Sequence, residues 1–154
     1  RAGADRLENS SRQPADLGID SIRQHWHASR PQAESQLTLR GVQPAPKIIA
    51  DPRLEQALLN LLNNAANASQ KNIELSINWT TSGLAIEVHD GGPGFPPEVL
   101  EHGGTSSFPS HQQGSGIGLI LTRSAIEQLG GRLTLSNPNE GGALARIELP
   151  QVTP

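Results

Sequence analysis

The chain has 154 residues, a formal net charge of −3 and neither cysteine nor methionine. One domain of this length can bury roughly two thirds of its unfolded surface, while the weakly acidic balance excludes broad attraction for nucleic acid or anionic membranes, so any phosphate affinity must be local. The lack of cysteine excludes a disulfide framework, a thiolate metal site or a thiol switch within these residues, and no stretch approaches the ~20 apolar residues of a membrane span, which makes a cytoplasmic setting the default.

Residues 1–16 are polar and charged and read as a linker or tail. A chain opening on Arg1 with no methionine anywhere reads as a piece of a longer protein. Leu17, Ile19, Ile22 and Trp26 follow helical spacing up to Pro31, which predicts a first helix over 17–29. Residues 36–40 alternate like a half-buried strand, and 47–50 form a short apolar strand after Pro44 and Pro46. Asp51 is a helix N-cap with Pro52 at the first helical position, so a long helix runs from there to about Ser69. Residues 72–80 and 84–89 read as a hairpin turning at Thr81, Ser82 and Gly83. Glycine and proline dominate 90–116, predicting a long loop with one short helix over 97–101; loops of this length are usually functional or disordered. Residues 115–129 are helical up to Gly130 and Gly131, and 132–136 with 143–149 make a last hairpin, followed by a tail over 151–154. Strands arriving mostly as hairpins between helices predict an α/β two-layer sandwich, a mixed and mostly antiparallel sheet covered by about three helices.

Three motifs carry chemistry. On the long helix Asn60, Asn63, Asn64 and Asn67 fall at i, i+3, i+4 and i+7 and share a face. Asparagine is a mediocre helix residue, and each amide offers an oxygen to a hard cation and an NH2 to a phosphate; a plain solvated polar face is the competing reading. Asp90-Gly91-Gly92-Pro93-Gly94 leaves the sheet edge after a strand. An ionised Asp only accepts, which suits the amine of adenine, and Gly92 and Gly94 allow close backbone approach; an ordinary turn is the competing reading. Gly114-Ser115-Gly116-Ile117-Gly118-Leu119 opens a helix whose free N–H groups favour phosphate. It follows Ser110-His111-Gln112-Gln113 rather than a buried strand, and no Lys-Ser or Lys-Thr follows, so neither a dinucleotide-binding turn nor a P-loop fits.

Taken in order, LLNLLNNAANA resembles the N box of sensor histidine kinases, and DGGPG and GSGIGL resemble their two glycine boxes. The chain resembles this branch of the ATPases that include gyrase, Hsp90 and MutL over about 17–150; within it NNAANAS and the N-x-x-x-G-G-A ending look closest to RegB-like redox-responsive kinases. The resemblance implies a Bergerat-type ATP-binding catalytic domain over 17–150. It implies Mg2+ on Asn60, phosphate or metal contacts from Asn64 and Asn67, and adenine on Asp90. Gly92, Gly94, Phe95, Gly114, Ser115, Gly116, Ile117, Gly118 and Leu119 would line the nucleotide. A neutral amide at Asn60 cannot take a proton from water, which favours phosphoryl transfer over hydrolysis. The acceptor histidine would sit on a separate helical dimerisation domain, to which residues 1–16 lead. A cognate response regulator would be a further partner and nucleic acid would not. The parent protein would be anchored in the bacterial inner membrane, though this segment would not itself insert.

One departure stands out. Between the glycine boxes the family usually carries Thr-Thr-Lys, where this chain has Phe108-Pro109-Ser110-His111. Ser110 and His111 then either contact phosphate or are solvated in a lid over about 98–113. Two alternatives remain: a hydrolytic ATPase of the same superfamily, and a degenerate module that only docks a regulator or another kinase.

Overall fold

The computed structural model describes residues 12–49, 51–69, 71–102 and 115–150. Four helices accompany two sheets among them: β1 (Arg12–Pro14), α1 (Ala15–Ser29), β2 (Ser35–Arg40), β3 (Lys47–Ile49), α2 (Pro52–Ala68), β4 (Ile73–Trp79), β5 (Gly83–His89), α3 (Pro97–His102), α4 (Ser115–Gln128), β6 (Arg132–Ser136) and β7 (Leu144–Pro150). The larger sheet has the order β2-β4-β5-β7-β6, with one parallel pair, β2 with β4, and antiparallel pairs elsewhere. This is the expected α/β sandwich with a mixed, mostly antiparallel sheet; the short α3 joins the three longer helices.

Alternation along the strands decides which face is covered. Ile73, Leu75 and Ile77 of β4, Leu84, Ile86 and Val88 of β5 and Ala145 and Ile147 of β7 are buried on one face. Against them pack Leu54, Leu58, Leu61, Leu62 and Ala65 of α2, Ile19 and Trp26 of α1, and Leu119 and Ile126 of α4. On the opposite face Arg146 pairs with Glu87 and Glu148, a charged arrangement that suits solvent.

The tail reading of residues 1–16 extends too far. Arg12–Pro14 pairs antiparallel with Lys47–Ile49, and Ala15, fully buried, already begins α1. The partner strand lies more than thirty residues downstream, so no local pattern announces it.

Asp51 caps α2 as expected: its carboxylate accepts from the backbone N–H of Arg53 at 2.8 Å, ahead of Pro52 at the helix start. The same carboxylate pairs with the Arg53 guanidinium, whose hydrogen bond is the main cause holding the Asp51 pKa below its ordinary value. A depressed folded-state pKa means that this stabilisation is present above the ordinary carboxylate range and is lost as pH falls through and below it. Asp51→Ala should therefore cost about 1 kcal/mol at neutral pH and almost nothing well below pH 3, as thermal melts across that range would record.

Candidate nucleotide site

The site forms where α2, the end of β5 and the start of α4 meet. A cavity of about 380 Å³ lies there, with apolar walls from Val88, Phe95, Val99, Leu119, Ala143 and Ala145. Asn64 and Asn67 border it, and Asp90 supplies its one charged side chain among the described residues. Pockets of this size and character are typical of small-molecule sites.

Asp90 is 7% exposed. Its Oδ1 accepts from the backbone N–H of Gly92 at 2.8 Å and of Ala143 at 3.3 Å. Both bonds use the same oxygen, and no fully buried side-chain oxygen among the described residues lacks a partner, so Oδ2 is accessible to a donor from outside the chain. The turn after Asp90 is held by the β6–β7 connection. Asn137 holds both backbone polar groups of Phe95, its Oδ1 accepting from Phe95 N at 2.8 Å and its Nδ2 donating to Phe95 O at 3.0 Å. Gly94 takes φ +94°, and a Cβ there would press on the Asn137 amide at 3.0 Å, so glycine suits both the turn and the clamp. His89 closes the other side through a 2.8 Å bond between Nε2 and the Gly141 carbonyl.

The four amides of α2 do not act as one face. Asn63 Oδ1 accepts from Trp26 Nε1 at 2.9 Å and from Arg30 Nε at 3.0 Å. Asn67 Oδ1 accepts from Arg30 Nη2 at 3.2 Å. Arginine and the indole only donate, so both oxygens must face α1. Asn63 thus ties two helices together, and Asn67 keeps its NH2 for a ligand, suited to phosphate but not to a metal ion. Asn60 lies one turn before Asn64 and does not border the cavity; it donates from Nδ2 to Thr122 Oγ1 at 3.4 Å. Thr122 is fully buried and gives its own hydrogen to the Gly118 carbonyl at 2.9 Å, so it can only accept from Asn60. That chain of bonds turns the Asn60 oxygen away from α4, where Gln56 Nε2 meets it at 3.2 Å.

Among the other expected site residues, Gly92 lies against the end of α2, with Gly94, Phe95 and Leu119 at the cavity. Gly118 lies in α4 with open space around it. Ser115, Gly116 and Ile117 form the first turn of α4, their side chains outside the described set; Ser110, His111 and Gly114 lie outside the described residues, as does most of the expected lid beyond α3. Sequence reasoning missed Arg30, Thr122 and the backbone N–H of Ala143. Asn137 and Ala143 do stand in the N-x-x-x-G-G-A ending, which was the available signal.

A second groove of about 480 Å³ also reaches Asp90 and Gly92, but Glu34, Glu74 and Glu140 line it. An anionic phosphate chain would be repelled there, which favours the apolar cavity.

The family described as Histidine kinase-, DNA gyrase B-, and HSP90-like ATPase matches residues 50–153. The chain belongs to this ATPase family. It is 34% identical over 130 residues to the sensor protein KdpD of Escherichia coli K12, covering 80% of this chain and 14% of KdpD. The fold superimposes on a mycobacterial sensor histidine kinase, MprB, with a TM-score of 0.73 at 25% identity, covering 91% of this chain and 96% of that one. Full-length ShkA, crystallised in complex with AMPPNP, gives a TM-score of 0.72 at 26% identity over 94% of this chain and 32% of its own. Within the ATPase family, then, this is the ATP-binding catalytic domain found in sensor histidine kinases, and the chain spans about a seventh of the length of KdpD. These relatives do not single out the RegB-like subgroup.

Proposed function

We propose that the domain positions the γ-phosphate of ATP for transfer to a histidine on a separate helical dimerisation domain, within a two-component pathway that ends on a response regulator. The observation that carries this reading is the apolar cavity with a single buried carboxylate among the described residues, Asp90, whose second oxygen has no hydrogen-bond partner there and would accept from an adenine amine. A hydrogen bond from a base to an ionised acceptor in such a setting orients the nucleotide and discriminates against other bases.

Asn64 and Asn67 border the cavity where the phosphates would emerge, and the backbone N–H groups of Ser115 and Gly116 at the start of α4 would complete their cradle. The Asn60 oxygen fits a hard cation: its amide is oriented by Thr122, and its one partner among the described residues is an exposed Gln56 amide. An Mg2+ there would neutralise charge on the phosphate oxygens. Asn60 itself, being neutral, leaves any water nearby unactivated, which favours transfer over hydrolysis. No described helix is long and apolar enough to cross a membrane; the kinase as a whole would be membrane-anchored, with this domain on the cytoplasmic side.

The test combines the chain with γ-labelled ATP, Mg2+ and the separately produced helical domain of its parent kinase. Acid-labile label on the acceptor, dependent on both proteins, is the expected result. Release of inorganic phosphate without labelled acceptor would instead indicate a hydrolytic ATPase, and nucleotide binding with neither product would indicate a docking module.

A further inference from the structure

The amide face leaves a charge problem. ATP with its phosphates is strongly anionic, yet the charged residues of α2 are Arg53 and Glu55 at its start, and fourteen residues of helix put Arg53 about 21 Å from Asn67. Among the described residues, those bordering the cavity include no cation. Arg30, however, donates to Asn67, which borders it, and has no carboxylate within ion-pairing distance among the described residues.

We propose that Arg30 is a phosphate-binding residue of the nucleotide cleft, delivered by α1 across the amide face of α2. Its position is fixed before any ligand arrives. Arg30 is the C-cap of α1, its backbone N–H bonded to the Trp26 and His27 carbonyls at 3.2 Å, and Trp26 beneath it is 1% exposed. Trp26 and Arg30 are four residues apart, as are Asn63 and Asn67, so the last turn of α1 matches the amide spacing of α2. Of the five guanidinium N–H groups, one meets Asn63 and one meets Asn67, which leaves three for phosphate oxygens. A guanidinium held this way loses little further freedom on binding, and its bonds to phosphate are charge-assisted. The amides thus act on phosphate in two ways: Asn67 presents its own NH2, and Asn63 with Asn67 aims the cation.

This role rests on the nucleotide reading above, and phosphate number separates it from a purely structural tie between α1 and α2. The chain and its Arg30→Gln variant would be titrated with adenosine, ADP and AMPPNP, followed by NMR so that weak binding is measurable. AMPPNP should lose about tenfold in affinity, ADP less, and adenosine should change by less than about twofold. Asn67→Lys placed on the Arg30→Gln background should recover most of the AMPPNP loss by returning the charge from α2. If Arg30→Gln does not fold, Arg30→Lys replaces it and should keep most of the preference for AMPPNP over adenosine while weakening AMPPNP several-fold. Equal losses for adenosine and AMPPNP, or no loss for AMPPNP, would overturn the role of Arg30 alone. A wild-type chain that binds none of the three would overturn the nucleotide reading and this role together.

Discussion

Asp90→Asn is expected to remove adenine-nucleotide binding while leaving the fold intact. An asparagine keeps an oxygen at the Oδ1 position, so the bonds from Gly92 N and Ala143 N survive and the thermal midpoint should move by no more than a few degrees. Toward the cavity, however, an NH2 replaces the second carboxylate oxygen, so that a donor meets the adenine amine donor. Losing a charge-assisted bond and leaving two donors facing each other should cost about 3 kcal/mol, a factor of roughly a hundred in affinity for a non-hydrolysable ATP analogue measured by calorimetry. A variant that binds as tightly as wild type would place the base elsewhere.

Gly142→Ala should give the contrasting result, in which stability and binding fall together. Gly142 has φ +81°, and a methyl there would overlap the carbonyl oxygen of Asp90. The substitution adds backbone strain to that overlap, and neither is relieved without moving the segment that bonds Asp90: Asp90 N donates to Ala143 O at 3.0 Å and Ala143 N donates back to the carboxylate. A loss of about 3 kcal/mol, or roughly 10 °C in thermal midpoint, is expected, with nucleotide affinity lost in parallel. Gly141→Ala is the control, because Gly141 has φ +108° but nothing within 4 Å of an added Cβ, so it isolates strain from overlap. Equal midpoints for the two variants would show that the Asp90 segment yields without cost.

Local and long-range patterns differ in what the sequence reveals. Asp90 was legible because a carboxylate followed by glycines at a strand end is a local pattern, as were the Asp51 cap, the Pro52 start of α2 and the β4–β5 and β6–β7 hairpins, whose alternation and turns are contiguous. The β1–β3 pair and the parallel β2–β4 pair were not legible in the same way, since their partners lie far apart along the chain and share no turn. Nor was the division of the amide face. Helical spacing placed Asn60, Asn63, Asn64 and Asn67 together, but which neighbour each amide meets is decided by Trp26 and Arg30 on α1 and Thr122 on α4, contacts made only after packing. The bond of His27 Nε2 to Ser35 Oγ at 2.7 Å shows the same limit, since it depends on where β2 begins.

The most direct test of the central claim, that nucleotide enters between α2 and the Asp90 turn, is an NMR titration of the chain with a non-hydrolysable ATP analogue and Mg2+. The account predicts that the largest shifts fall on the backbone amides of Gly92, Gly94, Phe95 and Ala143 and on the side-chain amides of Asn64 and Asn67. Shifts centred instead on Glu34, Gln36 and Glu74 in the acidic groove, or none at saturating nucleotide, would contradict it.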